Sequence, residues 1–145
     1  MENNNLEILD EINKGATMGM DAIADVLDKV SDNDFKEVLN IEYEKYQKIS
    51  DRVNNLYANY HTDEEIDKTN TMNKMMTWYG IQMKTIADSS TSKLAELLMQ
   101  GTNMGIIKGR QLINENKEID HDIENILNDF VVMQEDSVET LKKYL

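Results

Sequence analysis

The sequence predicts an all-α protein, a four-helix bundle in which a long helical crossover connects the second and third bundle helices. The chain of 145 residues has no proline and only six glycines, so helix-breaking residues are scarce. Apolar residues recur at spacings of three and four along four long segments, which is typical of helices with one buried face. The four segments have similar lengths, so they can pack side by side around one core, as a single domain over residues 1–145.

The first two predicted helices form a hairpin. The first runs from about residue 6 to residue 30, and the second from about residue 32 to residue 60. Between their stripes lies the polar sequence Ser31-Asp-Asn-Asp34, in which Ser31 and Asp34 have the spacing of a capping box. Because this connection is only a few residues long, the two helices are predicted to be antiparallel neighbours.

The predicted crossover helix covers residues 71–87 and follows a polar loop over residues 61–70. Residues 72–83 contain the only tryptophan and a cluster of methionines, with a single charge among them. A helix of this length spans roughly 25 Å at 1.5 Å per residue, enough to run along the bundle. Helices two and three are therefore predicted to be parallel, as two hairpins joined by one long crossover.

The last two predicted bundle helices cover about residues 89–116 and 119–144. Residues 88–92, with the sequence Asp-Ser-Ser-Thr-Ser, are rich in side chains that cap helices. They predict a break or bend before the third bundle helix.

Composition limits the classes of partner. The formal net charge of −13 argues against nucleic-acid binding and against anionic membrane surfaces. The chain has no cysteine, which excludes disulfides and thiolate metal sites. The first residues lack the basic and apolar regions of a signal peptide, and the chain has no apolar run long enough to span a bilayer, so we expect a cytoplasmic protein.

The number, lengths and order of the helices resemble those of the ferritin-like four-helix bundles, in particular small bacterial members, over residues 6–145. The resemblance implies a possible di-iron centre at mid-bundle, built from one glutamate on each of two helices and a Glu-x-x-His motif on each of the others. The sequence lacks these motifs. Glu42-Tyr-Glu-Lys45 has lysine in the place of histidine, and Glu124-Asn-Ile-Leu127 and Glu135-Asp-Ser-Val138 also lack it. His61 and His121 fall in or near predicted loops, so we expect no cofactor.

Glu42 lies within the apolar stripe of the second helix, close to mid-bundle. One interpretation is a surviving metal or proton-transfer carboxylate, which makes the protein an iron- or manganese-dependent oxidoreductase with an atypical site. The other is a carboxyl at the edge of the stripe, or one paired with a tyrosine hydroxyl or a lysine. The second is favoured, because a single carboxylate is a poor metal site.

Glycines recur every four residues on the first and third bundle helices. Each costs about 1 kcal/mol relative to alanine inside a helix, so their positions require a reason. Close packing against a backbone or a large side chain is one reason, and a cavity for a small apolar ligand is the alternative. Packing is favoured because voids destabilise a core. The glycine repeats are Gly15 and Gly19 on the first helix and Gly101, Gly105 and Gly109 on the third. The large side chains that could pack against them are Trp78, Tyr46 and Phe130. The residues that could line a cavity are Gly19, Tyr46, Gly101 and Gly105.

Two residues of the crossover helix are candidates for a partner surface. On a helical wheel Trp78 lies at the flank of the apolar stripe and Ile81 lies nearly opposite it. The hypothesis from the sequence is a non-enzymatic binding or structural protein that is a homo-oligomer or binds another protein. The metal-dependent oxidoreductase and the carrier of a small apolar ligand at mid-bundle are the alternatives.

Overall fold

The computed structural model describes residues 3–60 and 86–145, and the regular elements in these two ranges are all helical. The prediction of an all-α protein is confirmed for this part of the chain. The helices are α1 (Asn3–Leu27), α2 (Asn33–Tyr57), α3 (Thr91–Glu115) and α4 (His121–Lys142), and a turn of 3-10 helix, Ala58–Tyr60, follows α2.

The N-cap of α2 lies one residue later than the sequence predicts. Asp32, in extended backbone conformation, accepts a hydrogen bond from the Phe35 amide at 2.9 Å and is the N-cap. The prediction of Ser31 as the cap is therefore wrong by one position. A carboxylate at this position also interacts favourably with the positive end of the helix dipole, which favours Asp32.

The predicted break before the third bundle helix is confirmed. Ser90 is the N-cap of α3, and its hydroxyl accepts a hydrogen bond from the Lys93 amide at 3.3 Å. Asp88 accepts from the Ser90 amide at 2.9 Å, and this backbone hydrogen bond lowers the pKa of the Asp88 carboxyl. Most of the predicted crossover helix lies outside the described residues, and so do Trp78 and Ile81. Its predicted last residues, Ile86 and Ala87, are not helical.

Contacts within the first hairpin show that α1 and α2 are antiparallel. Ser50 donates a hydrogen bond to Asn13 at 2.9 Å, and the Tyr46 ring lies against Gly19. Residues later in α1 thus contact residues earlier in α2. The predicted antiparallel hairpin is confirmed.

The second hairpin and the contact between hairpins fix the remaining directions. Gly105 and Gly109 of α3 meet Gln134 and Val131 of α4, so these helices are antiparallel. Helices α2 and α4 are also antiparallel. Glu42 contacts Ser137, whereas Arg52, later in α2, contacts Asp129, earlier in α4. Because both are antiparallel to α4, helices α2 and α3 are parallel, as predicted, and α2 ends at the opposite end of the bundle from the start of α3.

The core is a continuous apolar cluster to which all four helices contribute. Its largest fully buried side chains come from each helix in turn, including Leu9, Phe35, Leu94 and Ile123. Within the described ranges, no helix has the length and apolarity that crossing a membrane requires. The described helices pack in pairs around this core. Four of its buried polar or charged residues, Glu42, Thr102, Gln134 and Ser137, line one space between the helices, whereas Asp10 lies outside it.

Candidate functional site: a mid-bundle cavity

A cavity of about 60 Å³ lies at mid-bundle, and residues of all four helices line it. Most of its wall is apolar and includes Met18, Leu98, Met104 and Leu141. The structure brings the four cavity candidates from the sequence together, since all of them line this space. They are Gly19, Tyr46, Gly101 and Gly105.

The glycines of α1 are positions of close approach by aromatic rings. A Cβ at Gly19 would lie 2.5 Å from the Tyr46 ring, and one at Gly15 would lie 2.9 Å from the Phe130 ring. Tyr46 and Phe130 also meet edge to face, with 6.2 Å between their ring centroids. The packing interpretation of these glycines is confirmed, and Tyr46 is one of the two large side chains responsible.

The glycines of α3 are equally close to α4. The amide of Gln134 occupies the place of a Cβ at Gly105, and a methyl group of Val131 does so at Gly109. Packing and cavity are therefore not exclusive, because the glycines admit large side chains and an open space remains beside them. Gly105 takes part in both.

Glu42 is buried, with 4% of its surface exposed, and it lines the cavity. Its Oε2 accepts a hydrogen bond from Ser137 Oγ at 2.6 Å, and its Oε1 lies 3.6 Å from Lys45 Nζ. The lysine partner agrees with the paired-carboxyl interpretation from the sequence. The hydroxyl partner is a serine rather than a tyrosine.

The surroundings of Glu42 do not fit the iron or manganese that the ferritin-like resemblance implies. Across residues 3–60 and 86–145, no three histidine, aspartate or glutamate side chains come together as metal ligands. A lysine ammonium beside Glu42 also opposes a second cation there. His121 is the exposed first residue of α4, and His61 lies outside the described residues.

Polar side chains of three helices meet in one part of the cavity wall. The buried Tyr46 hydroxyl lies within reach of the side chains of Gln134 and Thr102. Thr102 Oγ1 donates its single proton to the Leu98 carbonyl at 2.7 Å. Burial raises the pKa of the Tyr46 hydroxyl, and the Glu42 charge raises it further.

Gln134 is left with one unused acceptor. The residue is 3% exposed, and its Oε1 accepts no hydrogen bond from the described part of the chain. A buried acceptor without a partner costs about 1–3 kcal/mol. Because Gln134 lines the cavity, an occupant of that space is placed to supply the missing donor.

Sequence reasoning missed Gln134, Ser137 and Thr102. The signal for the two α4 residues was present, because they follow Phe130 at the spacing of one helix face, and Leu141 continues that face. A polar residue within an otherwise apolar stripe indicates a buried polar group. The partner each one meets depends on how the helices align, which the stripe does not give.

No family model matches this chain, and searches of the curated proteins and of the solved structures find no significant match. The case for a function rests on the geometry of the cavity and on the chemistry of its wall.

Proposed function

We propose that the protein is a non-enzymatic binding protein that holds a small, mainly apolar molecule in its mid-bundle cavity. The observation that carries the proposal is the cavity of about 60 Å³ itself, at a level where the bundle is otherwise closely packed. Its wall is mainly apolar, so an apolar molecule that fills it removes this surface from water. Binding to the folded state alone also stabilises that state.

The size of the cavity limits the occupant. One water needs roughly 10–15 Å³ of such volume, so the space takes about four to six non-hydrogen atoms. Two of the flexible residues in its wall are Met18 and Met104, whose unbranched side chains adapt to the shape of a ligand. A short aliphatic molecule fits these limits.

The fold around the cavity is the subject of a second proposal. We propose that the chain is a cytoplasmic, ferritin-like bundle whose mid-bundle level holds this cavity in place of a metal centre. The parallel arrangement of α2 and α3, as two antiparallel hairpins, supports it. Homo-oligomer formation through Trp78 and Ile81 stays a prediction, because both lie outside the described residues.

Filling the cavity tests the proposal. Ala22 is 8% exposed and lines the cavity, whereas Ala24 on the same helix is exposed and lies outside the wall. We expect n-butanol to shift the methyl NMR signals of Met18 and Met104 and to reach saturation in the native protein. Ala22→Leu is expected to abolish the response by occupying the space, while Ala24→Leu is expected to retain it.

A native protein whose methionine signals do not respond to n-butanol would contradict the proposal. An unchanged response in Ala22→Leu would show that the alcohol binds elsewhere, with the same consequence. Thermal unfolding of both variants establishes that each is folded before the titration.

A further inference from the structure

We infer that the molecule bound in the cavity carries a single hydroxyl group, which donates its proton to Gln134 Oε1. The inference rests on the proposed function, because it assumes that the cavity is a binding site. It adds the chemical class of the ligand, a short neutral alcohol, and names the residue that selects it.

The first step concerns the orientation of the Gln134 amide. Its nitrogen lies against Gly105, where a Cβ would collide with it, and its Oε1 is buried without a hydrogen-bond donor from the described chain. Thr102, which also lines the cavity, gives its single proton to the Leu98 carbonyl and so supplies no donor to Oε1. The structure therefore leaves Oε1 as the free group of the amide.

The second step counts the other polar groups of the wall. Glu42 accepts a hydrogen bond from the Ser137 hydroxyl and forms an ion pair with Lys45. Thr102 donates its hydrogen bond to the Leu98 carbonyl. Gln134 Oε1 is the buried acceptor in the described wall that accepts no hydrogen bond from the described chain. A ligand therefore has to supply one hydrogen-bond donor to satisfy this acceptor.

The third step compares ligand head groups. A hydroxyl brings one donor, whereas an ammonium brings three donors and a charge that has to be desolvated. A carboxylate brings no donor and would lie close to the Glu42 charge. The described residues of the wall include one acid, Glu42, and one base, Lys108. Because their charges are opposite, the wall favours neither an ammonium nor a carboxylate head group. The alcohol is the best match.

A pair of isomers isolates the hydrogen bond. n-Butanol and methyl propyl ether have the same composition and similar volume, but the ether has no donor. Titration of the native protein, followed by the methyl signals of Met18 and Met104, is expected to give a dissociation constant about two- to tenfold lower for the alcohol, the ratio that one net hydrogen bond supplies. n-Butylammonium and butyrate are expected to bind more weakly than the alcohol.

Gln134→Met tests the named residue, because methionine keeps the length of the side chain and removes the acceptor. The ratio between alcohol and ether is expected to fall to about one in this variant.

Equal affinity of the native protein for alcohol and ether would overturn the inference and leave the proposed function standing. The same holds if either ion binds more tightly than the alcohol, or if Gln134→Met keeps the native ratio. Failure of all four compounds to shift the methionine signals would overturn both. The comparison of isomers on the native protein decides the inference even if Gln134→Met does not fold.

Discussion

Two polar residues enter the apolar face of α4, and both are almost completely buried. Gln134 is 3% exposed and Ser137 is 2% exposed, between the apolar residues Phe130 and Leu141. Ser137 joins α4 to Glu42 of α2 at the level of the cavity. Buried polar pairs of this kind favour one alignment of two helices over neighbouring ones, since a shift would leave a charge unpaired.

Removal of the Ser137 hydroxyl is expected to destabilise the fold. Ser137→Ala leaves the Glu42 carboxylate buried with Lys45 as its remaining partner among the described residues, so we expect the free energy of unfolding to fall by about 1–3 kcal/mol. Urea unfolding followed by circular dichroism measures it. Ser50→Ala, which removes the half-buried hydrogen bond to Asn13, is the matched control and is expected to cost less. An effect of Ser137→Ala no larger than the control would argue against the buried pair.

The residues of the site divide into those that the sequence identifies and those that it does not. The sequence identifies Gly19 and Glu42 because a glycine and a carboxylate interrupt apolar stripes, and it identifies Tyr46 as a large side chain that can pack against a glycine. Gln134 and Ser137 interrupt a stripe in the same way, yet their importance comes from partners on other helices. Helix alignment determines those partners, and periodicity along a single helix carries no information about it.

Helix ends are set by capping groups more than by the apolar stripe. The stripe of α1 continues to Val30, which is 7% exposed, although the helix ends at Leu27. Val30 is buried because the chain turns back into the core after the last helical residue. The predicted end at residue 30 is therefore three residues too late, because apolar periodicity reports burial rather than backbone conformation.

The start of α2 provides a test of the observed cap against the predicted one. Asp32→Ala removes the acceptor for the Phe35 amide, so we expect a loss of about 0.5–2 kcal/mol in the free energy of unfolding. Ser31→Ala is expected to change it by less than about 0.5 kcal/mol, because Ser31 is exposed and precedes the cap. Chemical denaturation of the two variants side by side measures both values, and a reversed order would restore Ser31 as the cap.

At the scale of the whole molecule, the described residues form two closely packed hairpins with polar groups and a cavity between them. Within the hairpins, glycines admit Tyr46 and Gln134 at close range. Between them, Glu42 with Ser137 and the exposed pair Arg52–Asp129 join α2 to α4. This arrangement follows from the sequence as far as helix number, order and direction. The open volume depends on how side chains of four helices fill a common space, so it was predicted only as an alternative.

Tyrosines with raised pKa values at several levels of the bundle predict a loss of stability at alkaline pH. Burial raises the pKa of Tyr57, with a further rise from Asp10, and burial with the Asp120 hydrogen bond raises the pKa of Tyr60 to about 12. The folded protein thus keeps protons that the unfolded chain, with tyrosine pKa values of about 10, releases. The stabilising contribution is complete below about pH 10 and is lost as pH rises through about 12.

Urea unfolding from about pH 9 to about pH 12 measures this dependence. The free energy of unfolding is expected to fall across that window, and in Tyr60→Phe the fall is expected to be shallower, because the phenol that joins the end of α2 to Asp120 at the start of α4 no longer titrates. Lysine deprotonation contributes to both curves equally, so the difference between their slopes isolates Tyr60. Parallel curves would mean that Tyr60 ionises alike in the folded and unfolded chains, and that this contact between hairpins contributes no alkaline sensitivity.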